Sequence, residues 1–206
     1  MPITFDERLR EIGMFFEGTS AVHQTMNRVC ATFESVDIAY AILGGMAVNA
    51  HGHERTTKDV DFLLRPEGLA AFRVIAAEYG YAQVPNRPRR FLDTVTNVSF
   101  DILVTGRFPG SGAPGPVAFP DPTSVGERIN GHQFVNLVTL FELKLAAHRY
   151  HDFGDVVSLI RVHNLNESFL TQLHSALHAD FIECLEEKRR EDEYEAREDR
   201  ASEEMR

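Results

Sequence analysis

The chain has no tryptophan, only two cysteines, and no apolar run approaching the roughly 18 residues that a membrane span requires. Each absence narrows the function. Cys30 and Cys184 stand far apart with no CxxC spacing, which excludes a disulfide framework and leaves two reduced structural thiols. The opening MPITFDERLREIGMFF carries charge early and has no apolar stretch followed by a small-residue cleavage site. The expected localisation is therefore cytoplasmic, with no membrane partner, and the sequons at Asn97 and Asn166 carry no glycosylation meaning. There is no GK[ST], hence no P-loop, and no HExxH. The HxH and HxxH spacings of His51, His53, His148 and His151 thus have no supporting zinc signature.

What is present describes a globular protein. The 206 residues are 43% hydrophobic and 25% charged, enough for one ordinary domain, or one domain with a small helical appendage. The net charge of −10 argues against a broad phosphate-binding surface. Its distribution softens that, because residues 183–206 hold eleven acids against six bases and so carry half of the excess. A mildly acidic body can still carry a local basic cleft.

Periodicity gives a mixed order. Val22, Met26, Val29, Cys30 and Phe33 recur at helical spacing, and IAYAIL (38–43) is an apolar run of strand length. GMAVNAH reads as a short helix, DVDFLL as a strand, PEGLAAFRVIAAEYG as a helix closed by Gly80, and VSFDILV as a further strand. Residues 105–122 hold five prolines and four glycines and are expected to form a long surface loop. The GSGAPG inside it matches a dinucleotide-binding spacing, but Pro109, Pro114 and Pro116 forbid the helix that the motif must open. HQFVNL is a brief strand candidate, and the segments from 139 to 163 and from 168 to 185 read as helices. The last twenty or so residues, polar on every face, are either a solvated helix or a disordered tail. The fold class expected is α+β: a small mixed sheet with flanking helices over 1–122, a helical cap over 123–182 and a charged tail over 183–206.

The chemistry concentrates in GGMAVNAHGHERTTKDVDFLL, residues 44–64. Alternate residues of a strand share a face, so Asp59 and Asp61 present two carboxylates about 6 to 7 Å apart along one side. Like charges that close repel, and a hard divalent cation such as Mg²⁺ removes the penalty while accepting substrate phosphate oxygens. Asp101, set among apolar strand residues in VSFDILV, is a third carboxylate where an unpaired charge would be costly. Three such groups on adjacent strands could hold one or two ions. Gly44 and Gly45 fall where a strand gives way to a helix, so free amides and the absence of side chains admit a phosphate there. Arg55 and Thr57, just ahead of the aspartates, either fix the turn or touch a triphosphate.

In this order of strand, glycine pair, helix, DxD on a strand and a later acidic strand residue, the chain resembles the nucleotidyltransferase superfamily of DNA polymerase beta type. Within it, ELKLAAHRYHDFGDVVSLI (142–160) resembles the bacterial AbiEii-like group, where a helical lysine precedes an aspartate by eight residues, here Lys144 and Asp152. The resemblance covers residues 38–160. It implies a Mg²⁺-dependent enzyme that moves a nucleoside monophosphate from an NTP to a hydroxyl, with Asp59, Asp61 and Asp101 on metal. It also implies Gly44 and Gly45 at the nucleotide and Lys144 on phosphate. The acceptor implied is a tRNA, a protein or a small molecule, and a toxin role with a cognate antitoxin as partner follows from the same group. Met46 departs from the pattern, standing where a small Ser or Thr is common. The competing reading is a non-catalytic nucleotide-binding or regulatory interaction module, against which the presence of all three acids weighs. Lys144 shares a helical face with Leu140, Ala147 and His148, so its stem must lie on apolar surface. Arg149, Asp152 and Asp155 follow either as a surface ion network or as groups that orient Lys144.

Overall fold

The computed structural model describes residues 4–204 and is mixed α and β. In chain order the elements are α1 (Phe5–Phe16), α2 (Ala21–Ser35), β1 (Tyr40–Leu43), α3 (Gly44–Ala50), β2 (Val60–Leu64), α4 (Pro66–Ile75), β3 (Tyr81–Gln83), β4 (Arg90–Asp93) and β5 (Val98–Val104). There follow α5 (Pro122–Val125), β6 (Gly126–Ile129), β7 (His132–Val135), α6 (Leu137–Ala147), α7 (Tyr150–Val162), two short 3₁₀ turns and α8 (His178–Glu204).

The chain forms two compact units. The first contains the residues up to Arg107 together with Ala118–Leu140, and the second contains Phe108–Val117 together with the residues from Phe141 onward. The first unit is built on one seven-stranded sheet, ordered β3-β4-β5-β2-β1-β7-β6. At its centre β2 runs antiparallel to β1 and parallel to β5. Both faces of β2 are covered, and its period-2 alternation separates two environments. Phe62 points to the aromatic core, where it meets Phe33 of α2 at 5.4 Å between ring centroids and Phe100 of β5 at 5.9 Å, both edge to face. Phe72 of α4 extends the cluster to Phe33 and Phe91 at 5.2 and 5.0 Å. These fully buried rings, with contact geometry that complements their quadrupoles, fix the register of the central strands. Asp61, one residue before Phe62, therefore faces the other way.

Several expected elements differ in extent. The helix beginning at Pro66 ends at Ile75, and residues 77–80 turn through Gly80 at φ +84°, a left-handed conformation that a side chain would strain. The sheet gains β3, β4 and β6, which the apolar patterning did not suggest. With β6 and β7 in the sheet, residues 123–140 belong to the first unit, and the helical second unit takes up the chain at Phe141. The proline-rich stretch is a loop as expected, and its neck is clamped by the backbone bonds Gly106 N–H to Phe119 O at 2.8 Å and Phe119 N–H to Arg107 O at 2.7 Å.

The second unit packs α6, α7 and α8 around Phe141, Phe169 and Phe181, whose ring centroids lie 5.1 to 5.8 Å apart. Of the two readings of the tail, the helical one holds: α8 continues unbroken from the buried Cys184 to Glu204. Beyond Leu185 its attachments are ion pairs such as Arg161 with Glu191 and Asp192, at 3.0 and 3.1 Å and about 40% exposed. Exposed pairs contribute about 0–1 kcal/mol each. Removal of residues 186–206 is accordingly expected to lower the melting temperature by no more than about 5 °C. Thermal melts of the full and shortened chains followed by circular dichroism check this, and a larger loss would mean that the distal helix docks through more than these pairs.

Candidate functional site

The central strands bring the three aspartates together on one face. Asp61 of β2 and Asp101 of β5 are direct register partners on parallel strands, so their side chains emerge side by side. Asp59 lies two residues before Asp61, in the bend that leads into β2. On the other flank of β2, Asp61 is the register partner of Leu43, the residue that precedes Gly44. The sequence thus delivers DxD, its later acid and the glycine pair to one end of three adjacent strands.

The glycines are accounted for by what stands against them. A β-carbon at Gly44, whose φ is +66°, would lie 1.9 Å from Asp61 Oδ2, and one at Gly45 would lie 2.8 Å from the Thr57 side chain and 3.3 Å from Arg55 Nη1. Asp61 and the 55–57 turn therefore press directly on the start of α3. The turn is held from below by Asn49, which donates from Nδ2 to the carbonyls of Gly45 and Arg55 at 2.8 and 2.7 Å and accepts from Arg55 N–H at 3.1 Å. Thr57 Oγ1 donates to the Asp59 carbonyl at 3.3 Å. Arg55 and Thr57 thus fix the approach to the aspartates. We expect Gly44→Ala to disrupt the site, because the left-handed backbone alone costs about 1–2 kcal/mol and the methyl group also displaces the Asp61 carboxylate. Urea unfolding should show a midpoint shift of at least that size, and an unshifted midpoint would mean that Asp61 moves aside freely.

Arg90 is the participant that the sequence reading missed. It sits on β4 as the register partner of Asp101, and its guanidinium forks between two carboxylates: Nη1 donates to Asp101 Oδ2 at 2.5 Å and Nη2 to Asp59 Oδ2 at 3.3 Å. The three side chains are 25 to 34% exposed. Burial pushes the Asp101 carboxyl above its ordinary range, Arg90 and Arg87 oppose this, and Asp59 adds to it. A negatively charged shelf of this kind demands a cation, and in this structure Arg90 supplies one. The available signal was the arginine run RPRR (87–90), unread because its strand is short and preceded by two prolines.

The donor set suits a hard divalent ion, since it consists of carboxylate oxygens alone on adjacent strands. Among the described residues, no group of three or more His, Cys, Asp or Glu side chains is placed to hold a metal ion as the structure stands. The side chain placed between Asp59 and Asp101 is the Arg90 guanidinium. Asp59, Asp61 and Asp101 are the residues that would hold Mg²⁺. His51, one of the histidines weighed for zinc, is buried, and its Nε2 lies 2.8 Å from the Val135 carbonyl.

Lys144 belongs to the second unit. Its ammonium is buried and donates to Asp152 Oδ1 at 3.0 Å and Asp155 Oδ2 at 2.6 Å, while Arg149 Nε donates to Asp152 Oδ2 at 2.6 Å. The eight-residue spacing does bring Lys144 and Asp152 together. The charged place that the lysine reaches in this structure is provided by these two carboxylates.

No protein-family model matches the chain, and no curated protein matches it in sequence. Among solved structures it is similar to the antibiotic-resistance factor ANT(2'')-Ia, at 12% identity and a TM-score of 0.44, over 84% of this chain and 95% of that one. No helix among the described residues is long and apolar enough to cross a membrane.

Proposed function

We propose that the chain is a nucleotidyltransferase that moves a nucleoside monophosphate from an NTP to an acceptor hydroxyl. The observation that carries this reading is the register pairing of Asp61 with Asp101, with Asp59 two residues earlier and Gly44 against Asp61. Mg²⁺ at these carboxylates, as one ion or two, would lower the pKa of the acceptor hydroxyl and stabilise charge on the departing pyrophosphate. The chain's own residues do the rest. Asp59 and Asp61 would hold the cation, and Asp101 would help to hold it and accept the hydroxyl proton. The hydroxyl oxygen forms a bond to the α-phosphorus as the bond to the pyrophosphate oxygen breaks, the two in line. Gly44 and Gly45 leave backbone amides within reach of phosphate, and Arg55 and Thr57 frame that side.

Lys144 is assigned a different task, that of holding Asp152 and Asp155 and so joining α6 to α7. The resemblance to the AbiEii-like group extends the proposal to the toxin of a toxin–antitoxin pair. Its acceptor would then be a tRNA, a protein or a small molecule. The test is transfer of label from each α-labelled NTP, with Mg²⁺, into components of a cell extract. The proposal expects one macromolecule or metabolite to become labelled, in a manner that depends on Asp61.

A further inference from the structure

Asp59, in the bend before β2, and Asp101, on β5, are joined by one side chain from a third element. Arg90 projects from β4, directly across the register from Asp101, and each of its two terminal nitrogens serves a different carboxylate. Its backbone is fixed independently of the site. Arg90 N–H donates to Arg87 O at 3.1 Å, its carbonyl accepts from Val84 N–H at 2.9 Å, and the neighbouring Arg89 carbonyl accepts from Ile102 N–H at 2.7 Å. The guanidinium is thus presented to the aspartates by the sheet, and it occupies one oxygen, Oδ2, of each carboxylate. A planar fork of fixed charge satisfies two carboxylates well, but a divalent ion brings twice the charge and approaches oxygen more closely. Both cations cannot occupy the gap together.

We infer that Arg90 is the resident counter-ion of the Asp59–Asp101 pair, competing with the divalent metal for these carboxylates and leaving them when the metal binds. This rests on the metal-shelf reading above. It gives Arg90 a definite role in setting affinity: the guanidinium keeps the carboxylates from repelling one another without metal, and its displacement weakens the metal's apparent binding. An arginine that merely arranged the carboxylates for metal would have the opposite effect, since its removal would weaken metal binding. The sign of the change therefore decides.

The experiment is calorimetric titration of Mn²⁺ into the full wild-type chain, Arg90→Gln and Arg90→Lys, with melting temperatures taken in EDTA and in saturating Mn²⁺. Arg90→Gln is expected to bind Mn²⁺ about tenfold more tightly than wild type, the gain being that of losing a partly exposed charge-assisted pair. It should also melt below wild type in EDTA and recover that deficit in Mn²⁺, because a ligand bound only by the folded state raises stability with its affinity. Arg90→Lys keeps the charge without the fork and should fall between the two, which preserves the test if the glutamine variant folds poorly. Equal or weaker Mn²⁺ binding by both variants would overturn the inference. Should wild type bind Mn²⁺ through Asp61 while the variants bind no tighter, the inference alone fails. If neither wild type nor variants bind Mn²⁺, the metal-shelf reading fails with it.

Discussion

Lys144→Ala is expected to be the most destabilising single substitution in the second unit, at about 3–5 kcal/mol. Lys144, Asp152 and Asp155 are 5%, 2% and 4% exposed, so water is in no position to replace the ammonium. Asp152 would keep Arg149, and Asp155 would lose a 2.6 Å charge-assisted bond, leaving two buried carboxylates close together with one cation fewer. The cost is that of removing a shared cation from two buried carboxylates, which exceeds the worth of a single bond. Chemical denaturation should show the unfolding midpoint falling accordingly, and the melting temperature dropping by roughly 10 °C or more. Replacing all three with apolar residues of similar size should recover much of the loss, because the desolvation penalty of the ions then disappears with them. A Lys144→Ala protein as stable as wild type would show that the network is wet and that the lysine is free for another task.

The parts of the fold legible in the sequence are those where a single physical rule dominates. β1, β2 and β5 are read from apolar runs because they lie at the centre of the sheet. The DxD is read from strand alternation, although only Asp61 lies within β2 and Asp59 stands in the bend before it. That Asp101 lies beside Asp61 is a statement about register, which no local pattern encodes. β3 and β4 escape notice because YAQ and RFLD are short, lie toward a sheet edge and are separated by Pro85 and Pro88. Arg90 was hidden along with its strand. β6, GERI, is an edge strand with mostly exposed side chains, so it carries no apolar signature at all. The burial of Lys144 was half visible: the spacing to Asp152 could be read, whereas the nearly complete loss of water around three charges is a property of how α6 packs with α7.

Asp59→Asn and Asp61→Asn are expected to abolish nucleotidyl transfer while leaving the fold intact. Each removes one unit of negative charge from the shelf without altering its shape, so a hard cation loses a principal ligand. The structural cost is small. Asp59 is 34% exposed and its bond to Arg90 is 3.3 Å long, so its loss should cost no more than about 1 kcal/mol. The consequence for chemistry is much larger, since in the proposed reaction charge stabilisation at the α-phosphorus and the leaving pyrophosphate depends on the cation that these residues would hold.

The most direct measurement follows the α-phosphate. Wild type, Asp59→Asn, Asp61→Asn and the double variant, each shown to be folded by its melting curve, are incubated with each α-labelled NTP, Mg²⁺ and a cell extract. Label should appear in an acceptor with wild type and one or more NTPs, and should be absent with all three variants and with wild type in EDTA. Transfer by the folded double variant at the wild-type rate would contradict the account, as would a wild-type protein that labels no acceptor from any NTP.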